Sequence, residues 1–240
     1  MYITIPYGVD AGCAGQRTGI MLKFDLKRRW LCFIAGIILS GFGVALSTQA
    51  GLGATPISSV PYVLSFIIPL TFGTWTLLLN ILFVFVQVAI LRRDFPKHQY
   101  LQIAATVLFG LIIDLGMFLT KPFCTDFYPA QLLMLVGGSA ILAAGIAMQV
   151  MSEILYLPGD GIVKVIAAKL KWNFGILKVS FDVTLTVSAV LLSLLFLTTL
   201  QGIREGTVIG AFSVGTMVSL FLVPLRSVKK FCYVRSGKSV

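Results

Sequence analysis

The chain has 240 residues, of which 58% are hydrophobic and 12% charged, with a formal net charge of +10 and a mean hydropathy of +0.96. That balance excludes a soluble globular domain. The Lys and Arg form short clusters beside apolar stretches, the pattern that sets membrane topology and attracts anionic lipid, so the charge does not signal a nucleic-acid partner. Cys13, Cys32, Cys124 and Cys232 form no CxxC pair, and the single His98 sits in a charged loop. Neither a metal site nor a cofactor is expected.

In chain order, residues 1–20 lack the charged start, apolar core and small-residue cleavage site of a signal peptide. Met21 opens MLKFDLKRRW, a basic lead-in to a membrane helix, so residues 1–21 read as a disordered arm or as a mis-assigned start. Six apolar stretches follow, at 30–50, 73–91, 101–120, 131–151, 175–197 and 206–225. Each reaches the roughly 20 residues that span a bilayer core of about 30 Å. Two shorter ones, 57–70 and 159–171, do not. The first holds Pro61 between Pro56 and Pro69, and the second carries Asp160, Lys164, Lys169 and Lys171. Helices of about 12–13 residues cover only about 20 Å, and both are expected to be re-entrant, a backbone course tolerated where protein or water surrounds it.

Charge decides the topology. Arg17, Lys23, Lys27, Arg28 and Arg29 precede the first span, and Arg92, Arg93 and Lys97 follow the second. With both groups cytoplasmic, the chain crosses an even number of times between them, which leaves the short segment as a dip. Sixteen of the 19 basic residues then fall in four cytoplasmic segments: the N-terminal arm, 92–97, 164–171 and 226–238. Lys178 falls at the cytoplasmic end of its span, and Lys121 and Arg204 fall outside. An eight-crossing arrangement would put Arg92 and Arg93 outside as well.

The second half repeats the first at an offset of 102 residues: Gly36 and Gly138, Gly43 and Gly145, Pro56 and Pro158, Phe72-Gly73 and Phe174-Gly175, Asn80 and Asp182. With three crossings per half the copies run in opposite senses, an organisation typical of transporters. The expected fold is an all-α polytopic membrane helix bundle: an inverted repeat with six full transmembrane helices and two short broken ones. Its parts are residues 1–21, halves at 22–125 and 126–227, and a basic tail at 228–240.

Gly36, Ser40 and Gly43 share one helix face, and small residues at that spacing let backbones approach in lipid. Ser58 and Asp160 are cap-type residues just after Pro56 and Pro158. Free N–H groups and the helix dipole at such ends hold anions, which makes Thr55, Ser58 and Ser59 candidates for an anionic group. Asp160, able to pair with Lys164 one turn on, suits a proton or cation. Ionisable residues within a membrane are functional candidates by default, and Asp114 and Asp182 qualify, with Asn80 as the repeat partner of Asp182. Each has a plain structural alternative in an interhelical hydrogen bond. Gln49, Gln87 and Gln149 are weaker candidates, Glu153 reads as interfacial, and Trp30, Trp75 and Trp172 as an aromatic belt.

The run from RWLCFIAGIILSGFGVALSTQAGLGATPISS to FGTWTLLLNILFVFVQVAILRRDF, with LPGDGIVK and REGTVIGAFSVG in the second half, resembles the YczE/YyaS/YitT group of bacterial membrane proteins over roughly residues 22–230. That resemblance implies a bacterial cytoplasmic membrane protein, often described as a transporter or permease, and supplies no catalytic residues. Members often carry a basic residue where Gly159 stands. The reading is a non-enzymatic small-solute transporter with a pathway between the halves, multi-pass in the cell membrane, both termini cytoplasmic. The alternative is an accessory membrane protein that binds a partner complex or lipid. A homo-oligomer or a partner membrane protein is compatible with either; no catalytic triad, HExxH or nucleotide-binding loop is present.

Overall fold

Every apolar stretch, long or short, folds as a helix. The computed structural model describes residues 26–92, 95–152, 154–197, 199 and 202–232. The predicted start at Met21, the arm before it, Arg93, Glu153 and the tail after Cys232 lie outside those residues. The helices are α1 (Leu26–Gln49), α2 (Pro56–Ile67), α3 (Phe72–Leu91), α4 (Leu101–Thr120), α5 (Tyr128–Ser152), α6 (Pro158–Leu170), α7 (Phe174–Leu197) and α8 (Glu205–Cys232). Among the described residues there is no strand, and α1, α3, α4, α5 and α7 are long and apolar enough to cross a membrane. α8 has 28 residues. α2 and α6, at 12 and 13 residues, are about 18–20 Å long and too short to do so.

The distribution of side chains is that of a protein in lipid. Phe118, Leu133 and Phe212 are about three-quarters exposed, whereas Thr48, Gln87, Gln102 and Ser139 are buried. With hydrocarbon outside, close packing and interhelical hydrogen bonds replace water exclusion as the main force between helices.

The tightest seam, between α1 and α5, shows that force at work. A Cβ on Gly36 would lie 2.8 Å from the Gly145 carbonyl oxygen, and one on Gly43 would lie 2.8 Å from that of Gly138. Gln149 Nε2 donates to Gly36 O at 3.1 Å and to Ser40 Oγ at 2.7 Å. The pairs 36–145 and 43–138 run in opposite directions along the two helices, which are therefore antiparallel. The small-residue face read from the sequence is a packing surface.

The helices gather basic residues at one end of the bundle. Arg29 Nε donates to Ser152 O at 2.6 Å and Lys169 Nζ to Ile90 O at 3.3 Å, joining the start of α1 to the end of α5 and the end of α6 to the end of α3. At the opposite end Gln49 Nε2 meets Cys124 Sγ at 2.8 Å.

Candidate functional site

The two short helices begin where proline allows. Pro56 and Pro158 take the first helical position, where a missing N–H costs nothing and the fixed φ favours the helix. The cap positions therefore belong to Thr55 and Leu157, and Ser58 and Asp160, expected as caps, stand three residues further in. The Ser58 N–H is taken by Thr55 O at 2.9 Å, and those of Asp160 and Gly161 by Leu157 O at 3.1 and 2.9 Å. Thr55 Oγ1 donates to Ser58 Oγ at 3.1 Å, and Ser59 Oγ to Pro56 O at 2.6 Å. The start of α2 thus already uses much of the hydrogen-bonding capacity an anion would need. The two starts meet: Ile57 packs its side chain on Gly159, so that a side chain there would have to displace it. Gln87, on α3, holds the start of α6 through a 3.0 Å bond from Nε2 to Pro158 O.

Around this meeting point lies a cavity of about 1150 Å³, lined by residues of all eight helices. Thr55, Ser58, Asn80, Asp160 and Asp182 line it, joined by Ser40, Thr76, Lys164 and Lys178. Most of the wall is apolar, with Phe83, Leu142 and Val214 among its members.

The polar focus is a three-residue cluster. Lys178 Nζ lies 3.0 Å from Asp160 Oδ1 and 3.1 Å from Asp182 Oδ1. Asp182 is one turn from Lys178 on α7, whereas Asp160 reaches it from α6. The Asp160–Lys164 pair that the spacing allows does not form: Lys164 Nζ instead stands 3.5 Å from the centre of the Tyr156 ring, in cation–π contact. Sequence reasoning assigned Lys178 to topology and so missed its role here. The i, i+4 spacing to Asp182 was the available signal. Asn80, the counterpart of Asp182, donates from Nδ2 to Thr76 O at 2.9 Å.

Two candidates stand apart from the lining. Ser59 is fully buried behind it. Asp114, on α4, caps α3: Oδ1 accepts from Gly73 N at 2.7 Å, and Oδ2 accepts from Thr71 Oγ1 at 2.7 Å. A carboxylate at a helix N-terminus satisfies orphan N–H groups and complements the dipole. Gly73 and Gly110 bring the two helices close enough for the bond, since a Cβ on Gly110 would lie 2.8 Å from Gly73 O. Asp114→Ala is expected to lower the detergent-solution melting midpoint, with a loss of about 1–3 kcal/mol. An unchanged midpoint would refute this structural role.

With this geometry in view, comparison with known proteins places the chain. A family of unknown function, DUF6198, matches residues 27–223. The chain belongs to that family. It is 27% identical over 169 residues to an uncharacterized membrane protein, YczE, of Bacillus subtilis (strain 168), covering 70% of this chain and 76% of that one. It is also 28% identical over 93 residues to an uncharacterized protein, YyaS, of the same organism, covering 39% of this chain and 45% of that one. No solved structure matches. This YczE-like chain is accordingly a multi-pass membrane protein, and its α1–α5 seam, paired short helices and cavity all fall within the matched residues.

Proposed function

We propose that this protein is a small-solute transporter of the bacterial cell membrane whose pathway runs between two inverted halves. The observation that carries the reading is the cavity of about 1150 Å³ between the halves, reached by both short-helix starts and holding Asp160, Lys178 and Asp182. Inverted repeats with broken helices at a central site are a recurrent transporter design. Shifting the seam contact 36–145 by 102 residues in each half turns it into 138–43, the other contact of the same seam. Such self-exchange between antiparallel helices supports a two-fold axis across the bundle and hence inversion. The basic end formed by Arg29 and Lys169 supports placing that end, with both termini, in the cytoplasm.

Purified protein in liposomes is expected to accumulate or release a solute from a broad panel, and Asp160→Asn is expected to reduce the rate at least tenfold. Transport by Asp160→Asn at the wild-type rate would remove the cluster from the pathway.

The apolar majority of the lining favours a second reading, an accessory protein that binds a partner complex or lipid. A stoichiometric partner retained on purification from native membranes, together with no flux of any solute, would favour it.

A further inference from the structure

The two halves differ at one wall of the cavity. In the first half α3 packs on α4 through Gly73 and Gly110 and is latched by Asp114. In the second half the start of α7 is served locally, with Gly175 N donating to Asn173 Oδ1 at 2.8 Å. The offset of 102 puts Phe212 and Thr216 where Gly110 and Asp114 stand. Phe212 is 74% exposed, and Thr216 Oγ1 bonds its own helix at Phe212 O and Ser213 O, 2.9 and 3.0 Å away. Consequently, among the described residues, α7 and α8 lack the packing that joins α3 and α4.

The cavity opens along that cleft. Phe174 and Val179 on α7 and Ala211 and Gly215 on α8 line the cavity and are also exposed, as are Val150 on α5, Ala168 on α6 and Trp172 just after it, whereas the lining residues of α1 to α4 are buried or half-buried. Along α7 and α8 the rim is apolar. Lys178 and Asp182 lie within about 12 Å of the first residue of α7, Phe174, and Asp160 and Lys164 adjoin them on the same wall. Two ammonium and two carboxylate groups balance there. The ion pairs use Oδ1 of both carboxylates, leaving each Oδ2 to meet a ligand cation, while Lys164 on its ring suits a ligand anion.

We infer that the cavity takes in, through the α7–α8 cleft, a membrane lipid with a zwitterionic ammonium–phosphate head. The phosphate faces Lys164, the ammonium faces Asp160 and Asp182, and an acyl chain lies in the cleft. The volume exceeds the roughly 300–1,000 Å³ of ordinary small-molecule sites, and a side opening between helices admits a chain that never leaves hydrocarbon. Binding of this kind requires the cavity and not translocation, so a failed transport assay leaves it standing.

The test uses the full chain in nanodiscs of mixed phosphatidylethanolamine and phosphatidylglycerol, with a trace of either lipid carrying a photoactivatable diazirine on its acyl chain. Peptide mass spectrometry is expected to place the phosphatidylethanolamine label on the segments holding Val179 and Ala211–Val218, about fivefold above the phosphatidylglycerol label. Gly215→Trp and Val179→Trp, which fill the cleft, abolish that excess. Gly137→Trp on α5 does not, although there too an added Cβ meets nothing within 4 Å. Equal labelling by both lipids would overturn the proposal. So would labelling that both cleft variants leave unchanged, which marks ordinary surrounding lipid, or labelling fully displaced by millimolar soluble phosphoethanolamine, which marks a head-only site.

Discussion

Lys178→Met is expected to destabilise the protein by about 2–3 kcal/mol, somewhat less than a fully buried pair would lose when one partner is removed. Its ammonium is the group shared by Asp160 and Asp182, at 3.0 and 3.1 Å. Methionine fills the space of the lysine stem but leaves two carboxylates facing each other across the gap between α6 and α7. Those side chains remain 38% and 25% exposed, so water reaching the cavity softens the penalty. The measurement is thermal unfolding in detergent, and its decisive form is a cycle with Asp182→Asn. Removing one carboxylate from the Lys178→Met protein relieves the repulsion, so the double variant is expected to recover at least 1 kcal/mol relative to additivity. Strict additivity would mean that the cluster makes no coupled contribution.

Gly43→Val is expected to abolish extraction of folded, monodisperse protein, or to lower stability by about 3 kcal/mol or more where some protein survives. A side chain at this position collides with the Leu142 backbone and lies 2.8 Å from Gly138 O. Neither obstacle is the movable tip of a side chain; both are helix backbone. To admit the methyls α1 and α5 must separate, which also stretches the Gln149 bonds to Gly36 and Ser40. Gly137→Val, one residue from the seam with no heavy atom in reach, is the control, expected to be extracted like the wild type. Equal behaviour of the two variants would show that the seam does not hold the halves together.

Much of the scaffold could be read from the chain because its signals are local. Pro56 and Pro158 start the short helices, Phe72 and Phe174 start the ones that follow, and apolar length identifies the rest. The glycine face of α1 was legible for the same reason, since 36, 40 and 43 share a stripe whatever packs on it. What escaped depends on which helices become neighbours. Asp114 lies 41 residues beyond Gly73 and 43 beyond Thr71, and no pattern within α4 reveals that it caps α3. Asp160 has a lysine one turn away and nonetheless pairs with Lys178, because α6 lies against α7 and Tyr156 holds Lys164. Each cap lies three residues upstream of the side chain expected to supply it, Thr55 before Ser58 and Leu157 before Asp160, since a proline can occupy the first turn and shift the cap upstream. The opening between α7 and α8 had no sequence signal beyond the absence, in α8, of the Gly and Asp that close the first half.

The contact of Ile57 with Gly159 makes two distant positions interdependent. They are counterparts under the offset of 102, and the Ile57 side chain occupies the place that a Cβ on Gly159 would take. A larger residue at 159 must displace that isoleucine side chain, so the size tolerated at either position depends on the residue at the other.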